Sequence, residues 1–228
     1  MKRTQRGNIL FLILLAVVLF AALSYAVTQG MRGGGKSASS ENADLAAAQM
    51  IQHGSQIENH LTRAMLTDSV PEYGFDLSGT YSMSLTNGTC TAANCRVLSG
   101  NANGSGPVAS LRMPTAAIDP GATASYANEW FVIIPITHVK TPLSDVIMVY
   151  RGLTKDACEA INRRMDVPVN LSNATGLGDA TGYSGTLTSI TTGSSVLGNA
   201  VVDVRGRTAA CFNHTVYGYT FYYVVMAR

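Results

Sequence analysis

Residues 9–27 read ILFLILLAVVLFAALSYAV, a run in which Ser24 and Tyr25 are the only polar side chains and no charge occurs. Wound as a helix at 1.5 Å per residue, the run spans roughly 28 Å, enough to cross the hydrocarbon core of a bilayer. Lys2, Arg3 and Arg6 precede it with no acidic residue nearby. The positive-inside rule therefore holds the N-terminus in the cytoplasm and sends everything after Val27 outward, with Tyr25 near the outer interface. A transmembrane helix over residues 8–29 is the expectation. A cleaved secretory signal would have a shorter apolar core and a small-x-small cleavage site, of which Ser24-Tyr25-Ala26 is a poor version. An uncleaved signal anchor needs only charge and hydrophobicity, and on those grounds it stays open.

Just upstream, the basic leader Lys2-Arg3-Thr4-Gln5-Arg6 ends in Gly7, and the apolar run follows at once through Asn8 and Ile9. In these residues the chain resembles the type IV prepilins and pseudopilins. The resemblance implies a leader over residues 1–7, cut between Gly7 and Asn8 by a prepilin peptidase on the cytoplasmic side, with Asn8 as a methylated new N-terminus. It implies that the apolar helix becomes the packing core of a filament through side chains such as Ile9, Phe11, Leu12, Leu15 and Phe20. The implied function is structural: a subunit of a type IV pilus or type II secretion-like filament, anchored in the inner membrane before assembly. The implied partners are the peptidase, other pilin or pseudopilin subunits and an inner-membrane assembly platform. Two positions depart from the pattern. Asn8 stands where the family usually has Phe or another apolar residue, and Leu12 occupies the fifth mature position, where most members carry Glu. A carboxylate in hydrocarbon is tolerated when it is paired or functional. Leu12 offers no charge with which to register a neighbour, so association would rest on helix packing alone. The expectation is a minor or tip subunit, or a divergent system.

Downstream, residues 28–40 (TQGMRGGGKSASS) are rich in Gly and Ser, a composition that disfavours a continuous helix. A joint is expected at 30–40, then an extracytoplasmic domain over 41–228. Of the 16 basic residues, Lys2, Arg3, Arg6, Arg32 and Lys36 precede Glu41, which leaves 11 against 14 acidic ones in the domain. That mildly acidic balance gives nucleic-acid binding little electrostatic support. All four cysteines, Cys90, Cys95, Cys158 and Cys211, follow the apolar run, as in an exported, oxidised domain. Two disulfides are expected rather than a metal site, because the C-x4-C pair has no second Cys or His pair near it. Among three connectivities, Cys90–Cys95 with Cys158–Cys211 keeps one ring local and closes one long loop.

Residues 41–67 restore helical spacing, with Leu45, Ala48, Ile51, Ile57, Leu61, Ala64 and Met65 near one face. Ser40 is the candidate cap and Asp44 lies in the first turn. His53 and His60 share a side and are expected to be solvated or partner-facing, since no carboxylate or Cys is placed to complete a metal site. Strands are expected at Tyr81–Leu85, Trp130–Val139, Val146–Arg151, Val196–Val204 and Tyr219–Met226, and a helix at Thr154–Met165 capped by Thr154. The fold class is α+β: a long helix across a mainly antiparallel sheet, disulfide-bonded, as the resemblance to pilins also implies. The Ser/Thr/Gly/Asn-rich stretch 170–199 lies inside the span that a Cys158–Cys211 bridge would close. It is either a plain surface loop or a recognition surface.

No phosphate loop, H-E-x-x-H or G-x-S-x-G occurs, and Gly182-Tyr183-Ser184-Gly185 lacks the spacing of a nucleophile elbow. His138 and His214 read as structural, and the sequons at Asn87 and Asn213 matter only in a glycosylating host. Neither an enzyme activity, a cofactor nor a metal is expected. Outside the filament reading stand a signal-anchored periplasmic binding protein that does not assemble, and a periplasmic enzyme of unknown chemistry.

Overall fold

A computed structural model of the chain describes residues 6–33, 38–72, 74–79, 90, 92–100, 106–122, 130–134, 145–169 and 204–227. The chain divides into two compact units, Met1–Ala38 and Ser39–Arg228.

The first unit is built on helix α1, Arg6–Gly33. It runs past the expected end at residue 29, and a second helix, α2, begins at Ala38. The joint expected over 30–40 is thus helical at both of its ends. Glycine weakens a helix by about 1 kcal/mol relative to alanine, chiefly in the interior, so Gly30 and Gly33 near the C-terminus do not stop α1. Among the described residues no helix is long and apolar enough to cross a membrane. The side chains of α1 are described over residues 11–26 only, a narrower window than the apolar run from Ile9 to Val27.

In the second unit α2, Ala38–Thr67, starts before the expected cap. Ser40 lies inside its first turn, and Glu41 is the acidic residue there. Its inward face also differs from the expected one in its N-terminal half. Ala43, Ala46, Ala47 and Met50 are buried, while Leu45 points outward. In this half the helix lies beside the segment Lys155–Arg164, with Arg163 paired to Asp44 at 3.2 Å, and it comes close to the sheet further along. At Gly54 an added Cβ would lie 2.6 Å from the Tyr223 ring. From Ile57 through Leu61 to Ala64 the buried stripe follows the expected one.

The sheet contains strands β1 (Trp130–Ile134), β2 (Asp145–Leu153), β3 (Ala209–His214) and β4 (Gly218–Met226), in the order β1-β2-β4-β3. All three pairings are antiparallel. β2 is central and buried along its whole length. Its side chains alternate between two cores: Val146, Met148 and Tyr150 join the α2 side, Ile147 and Val149 the other. That is the period-two alternation of a strand covered on both faces. Of the expected strand from Trp130 to Val139, Trp130–Ile134 is a strand, and residues 135–139 lie outside the described set, as does Tyr81–Leu85. Of Val196–Val204 only Val204 is described, and it lies in a turn rather than a strand. β3 was not expected: AACFNH has little of the β-branched enrichment that marks a strand. It is held by its neighbours instead.

Helix α3, Lys155–Arg164, is capped by Thr154, whose hydroxyl accepts from Ala157 N at 3.3 Å. Its Cys158 is bonded to Cys211 of β3. One turn on, the buried Asn162 donates to Cys211 O at 2.8 Å and accepts from Cys211 N at 2.8 Å. Among the described residues β3 is an edge strand, and Cys211 belongs to the set of residues whose backbone groups face away from β4. The Asn162 amide completes the ladder there and covers part of the edge. The second disulfide joins Cys90 to Cys95 across the short turn Ala93–Cys95. The α+β class, the antiparallel sheet and both disulfides are therefore present.

Candidate functional site

Two features of the molecule stand out chemically. The first is the surface of α1. Every described side chain from residue 11 to residue 26 is exposed. Since successive residues are 100° apart around a helix, the exposed apolar surface goes all the way round. Phe11 is 62 % and Phe20 74 % exposed, with Leu12 and Leu15 between them also open. Gly7, Asn8 and Ile9 lie in the first turns of the same helix. The expected processing and packing residues thus share one continuous element.

The second feature is a cavity of about 300 Å³ at one end of the sheet. It lies between the β3–β4 turn, the end of β2 and the turn at 119–122. Asp119, Asn213, Val216, Tyr217 and Tyr219 line it together with Gly152 and Gly218. Backbone hydrogen bonds fix the three walls to one another. Asp119 N donates to Gly152 O at 2.8 Å, Gly152 N to Tyr217 O at 3.0 Å, and Thr154 N to Ala117 O at 2.8 Å. Gly152 sits at φ +63°, inside the register shift between Tyr150 and Leu153, a conformation that glycine adopts without strain.

The turn itself is closed by a side chain. His214 is buried, and its Nδ1 accepts from Val216 N at 3.1 Å and from Tyr217 N at 3.2 Å, which requires that nitrogen to be unprotonated. The His214 ring stacks on Tyr217 at 4.7 Å between centroids, and the Arg151 guanidinium lies 4.0 Å from the Tyr217 centroid. The expectation that His214 is structural agrees with these contacts. Asp119 Oδ1 accepts from Gly121 N at 2.8 Å, an Asx turn that holds the carboxylate at the rim.

The helical histidines depart from the expectation. His53 is buried on the inward side of α2, only 4 % exposed. His60 is half-buried, and desolvation pushes its imidazole below the usual value while a hydrogen bond with the Arg96 backbone opposes the shift. Burial follows from the same helical phase that places Met50, Ile57 and Leu61 inward. Among the described residues, no group of three or more His, Cys, Asp or Glu could hold a metal ion. On the α2 side of the sheet, Tyr223 donates to Glu58 Oε2 at 2.8 Å. Its phenol is pushed up to about 12, chiefly by burial and then by that carboxylate.

His138, Asn87, the Gly182–Gly185 string and the stretch 170–199 lie outside the described residues. The cavity was not legible in the sequence, because its lining comes from stretches far apart in the chain that only strand pairing and the Ile118–Leu153 bridge bring together. Glycines at 152 and 218 within strand-like runs were the one local signal of a bend there. In comparisons with known proteins, the chain matches no family model, no curated protein and no solved structure.

Proposed function

We propose that this chain is a prepilin-like structural subunit, non-enzymatic, whose α1 is anchored in the inner membrane and then packs against other subunits in a filament. The observation that carries the reading is the unbroken apolar exposure of α1 from Phe11 to Leu23. Exposed apolar surface on this scale marks a membrane or protein contact. A helix apolar on all sides is stable only when surrounded by lipid or by other helices. The basic leader ending at Gly7, directly before the apolar run, favours a processed subunit over a simple anchor. The disulfide-bonded α+β unit from Ser39 onward is read as a pilin-like domain presented outside the cytoplasm, consistent with cysteines held as disulfides.

Leu12 refines the proposal. Without a carboxylate at that position, recruitment relies on packing between apolar helices, which suits a minor or tip subunit with few like neighbours. The test is the composition of sheared, purified filaments. A few copies of this chain per filament are expected, and Gly7→Val is expected to leave the protein in the inner membrane and out of the filament. Filaments made almost wholly of this chain would overturn the minor-subunit reading. Absence from every filament fraction would favour the signal-anchored binding protein that does not assemble.

A further inference from the structure

We propose that the β3–β4 turn is an acid-released latch, held shut by the neutral imidazole of His214 and opened when that ring takes up a proton. The inference goes beyond the filament reading and stands independently of it.

The latch is built from one side chain. His214 ends β3 and is 5 % exposed. Its Nδ1 accepts from Val216 N at 3.1 Å and from Tyr217 N at 3.2 Å. Both bonds use the lone pair of that nitrogen, so the neutral ring carries its hydrogen on Nε2. A further proton can go only to Nδ1. There it turns the acceptor into a donor that faces two backbone N–H groups, and a buried cluster of donors with no acceptor among them is unfavourable. Either the ring then leaves the turn or the turn leaves the ring. An Asn side chain closes a turn with an amide oxygen that does not titrate. The imidazole closes this one only while it is neutral. The latch is therefore fully present above histidine's ordinary range of about pH 6.5 and is lost as the pH falls below it.

The charges around the ring favour release over accommodation. Strand alternation puts His214 on the face of Ala210 and Phe212, opposite the face that α2 and α3 cover. Among the described residues, the ionisable groups tied to that face are Arg151 of β2, Tyr217 in the turn, Tyr222 of β4, and Arg205 and Arg207 after Val204. The Arg151 guanidinium lies 4.0 Å from the centroid of the Tyr217 ring on which His214 stacks. An imidazolium thus joins a cluster that already holds a cation. The Tyr222 phenol donates to Arg207 O, and burial pushes its titration up, so it stays neutral. The carboxylates bordering the face are Asp119, one oxygen of which accepts from Gly121 N, and Asp166, whose carbonyl accepts from Arg207. Both residues are exposed, and solvent screens what they offer a proton on His214.

Release reaches beyond the turn. Val216, Tyr217 and Gly218 form one wall of the cavity, and Tyr217 O accepts from Gly152 N of β2 at 3.0 Å. Gly218, at φ +68° with open space around it, is the point about which a freed turn swings. Beyond it β4 is held from Tyr219 onward by β2 and β3. The latch therefore couples pH to the shape of this end of the sheet and leaves the rest of the sheet in place.

The experiment follows backbone hydrogen exchange of the full-length chain in detergent by mass spectrometry, between about pH 7.5 and about pH 4, with rates corrected for the intrinsic pH dependence of exchange. A net hydrogen bond is worth roughly a factor of five in an equilibrium, so losing two should cost the segment with Val216 and Tyr217 about tenfold or more in protection. Peptides covering Phe221–Val225 should keep theirs. His214→Asn, whose Oδ1 can accept from the same two N–H groups without titrating, should remove the pH step. Should that variant fail to fold, nitrogen-15 NMR of the His214 ring in the unaltered chain decides, with protonation of Nδ1 expected over the same pH window as the loss of protection. Protection that stays constant to about pH 4, an imidazole that protonates without any loss of protection, or a step that persists unchanged in His214→Asn would each overturn the proposal.

Discussion

α1 and α2 are of similar length, 28 and 30 residues, yet they solve opposite problems. α2 is a mixed helix with one inward stripe that combines small residues, Ala43, Ala46, Ala47, Gly54 and Ala64, with Met50, Ile57 and Leu61, and at Gly54 it lies close to Tyr223 of the sheet. Its outward face carries Glu41, Gln52 and Gln56. α1 has no such division: apolar side chains face every direction and all that are described are exposed. The contrast teaches where each helix obtains its stability. The environment of α2 is the rest of its own domain, whereas on the proposed reading that of α1 is lipid or other subunits.

If this is right, damage to one region should leave the other untouched. The largest effect is expected on the domain side, from replacing Cys158 and Cys211 together by Ser. The bridge closes a sequence separation of 53 residues, worth about 4 kcal/mol in the chain-entropy model. Thermal unfolding of the domain should shift down by roughly 10 °C, with the membrane-bound fraction unchanged. A loss of membrane association in this variant would break the division.

The converse experiment places a charge in α1. Leu15→Lys should disfavour insertion by about 3 kcal/mol at the centre of a span and move protein out of the membrane fraction. Domain unfolding, followed by near-ultraviolet circular dichroism, should be the same as in the parent.

A smaller effect sharpens the comparison inside α2. Gly54→Ala gains helix propensity of about 1 kcal/mol, but the new methyl group meets the Tyr223 ring at 2.6 Å, and overpacking costs about 1–3 kcal/mol. A net loss of about 1 kcal/mol is expected in denaturant unfolding. The same Gly→Ala change at Gly30, near the end of α1, should not destabilise the domain at all.

The smallest effect is a pH dependence. The Tyr223 phenol titrates near 10 when unfolded and about 12 in the fold. Below pH 10 both states are protonated and the contribution is fully present. Between pH 10 and about 12 the unfolded chain loses its proton first, so stability falls as pH rises. Tyr223→Phe should make the decline over this window shallower in urea titrations at fixed ionic strength.

Much of the domain was legible because its signals are local. The Thr154 cap, the helix after it and the alternating runs that become β2 and β4 depend on side chains adjacent in sequence. The phase of the N-terminal half of α2 was not legible in the same way. Leu45 is more hydrophobic than Ala43 or Ala46, yet it is exposed while they are buried, and which side of a helix is covered is a tertiary fact. β3 was missed for a related reason: Ala209–His214 has weak strand propensity of its own and is fixed by Cys158 and Asn162 of α3. The cavity was hidden because Asp119 and Tyr219 meet only after the sheet has formed. The surface character of α1, by contrast, could be read directly, since a helix with apolar residues at every phase has no face to hide.

The most direct test of the central claim is the mass of the mature chain extracted from membranes of cells with an active prepilin peptidase. The account predicts loss of residues 1–7, leaving Asn8 as a methylated N-terminus. An intact N-terminus at Met1 in those cells would contradict it.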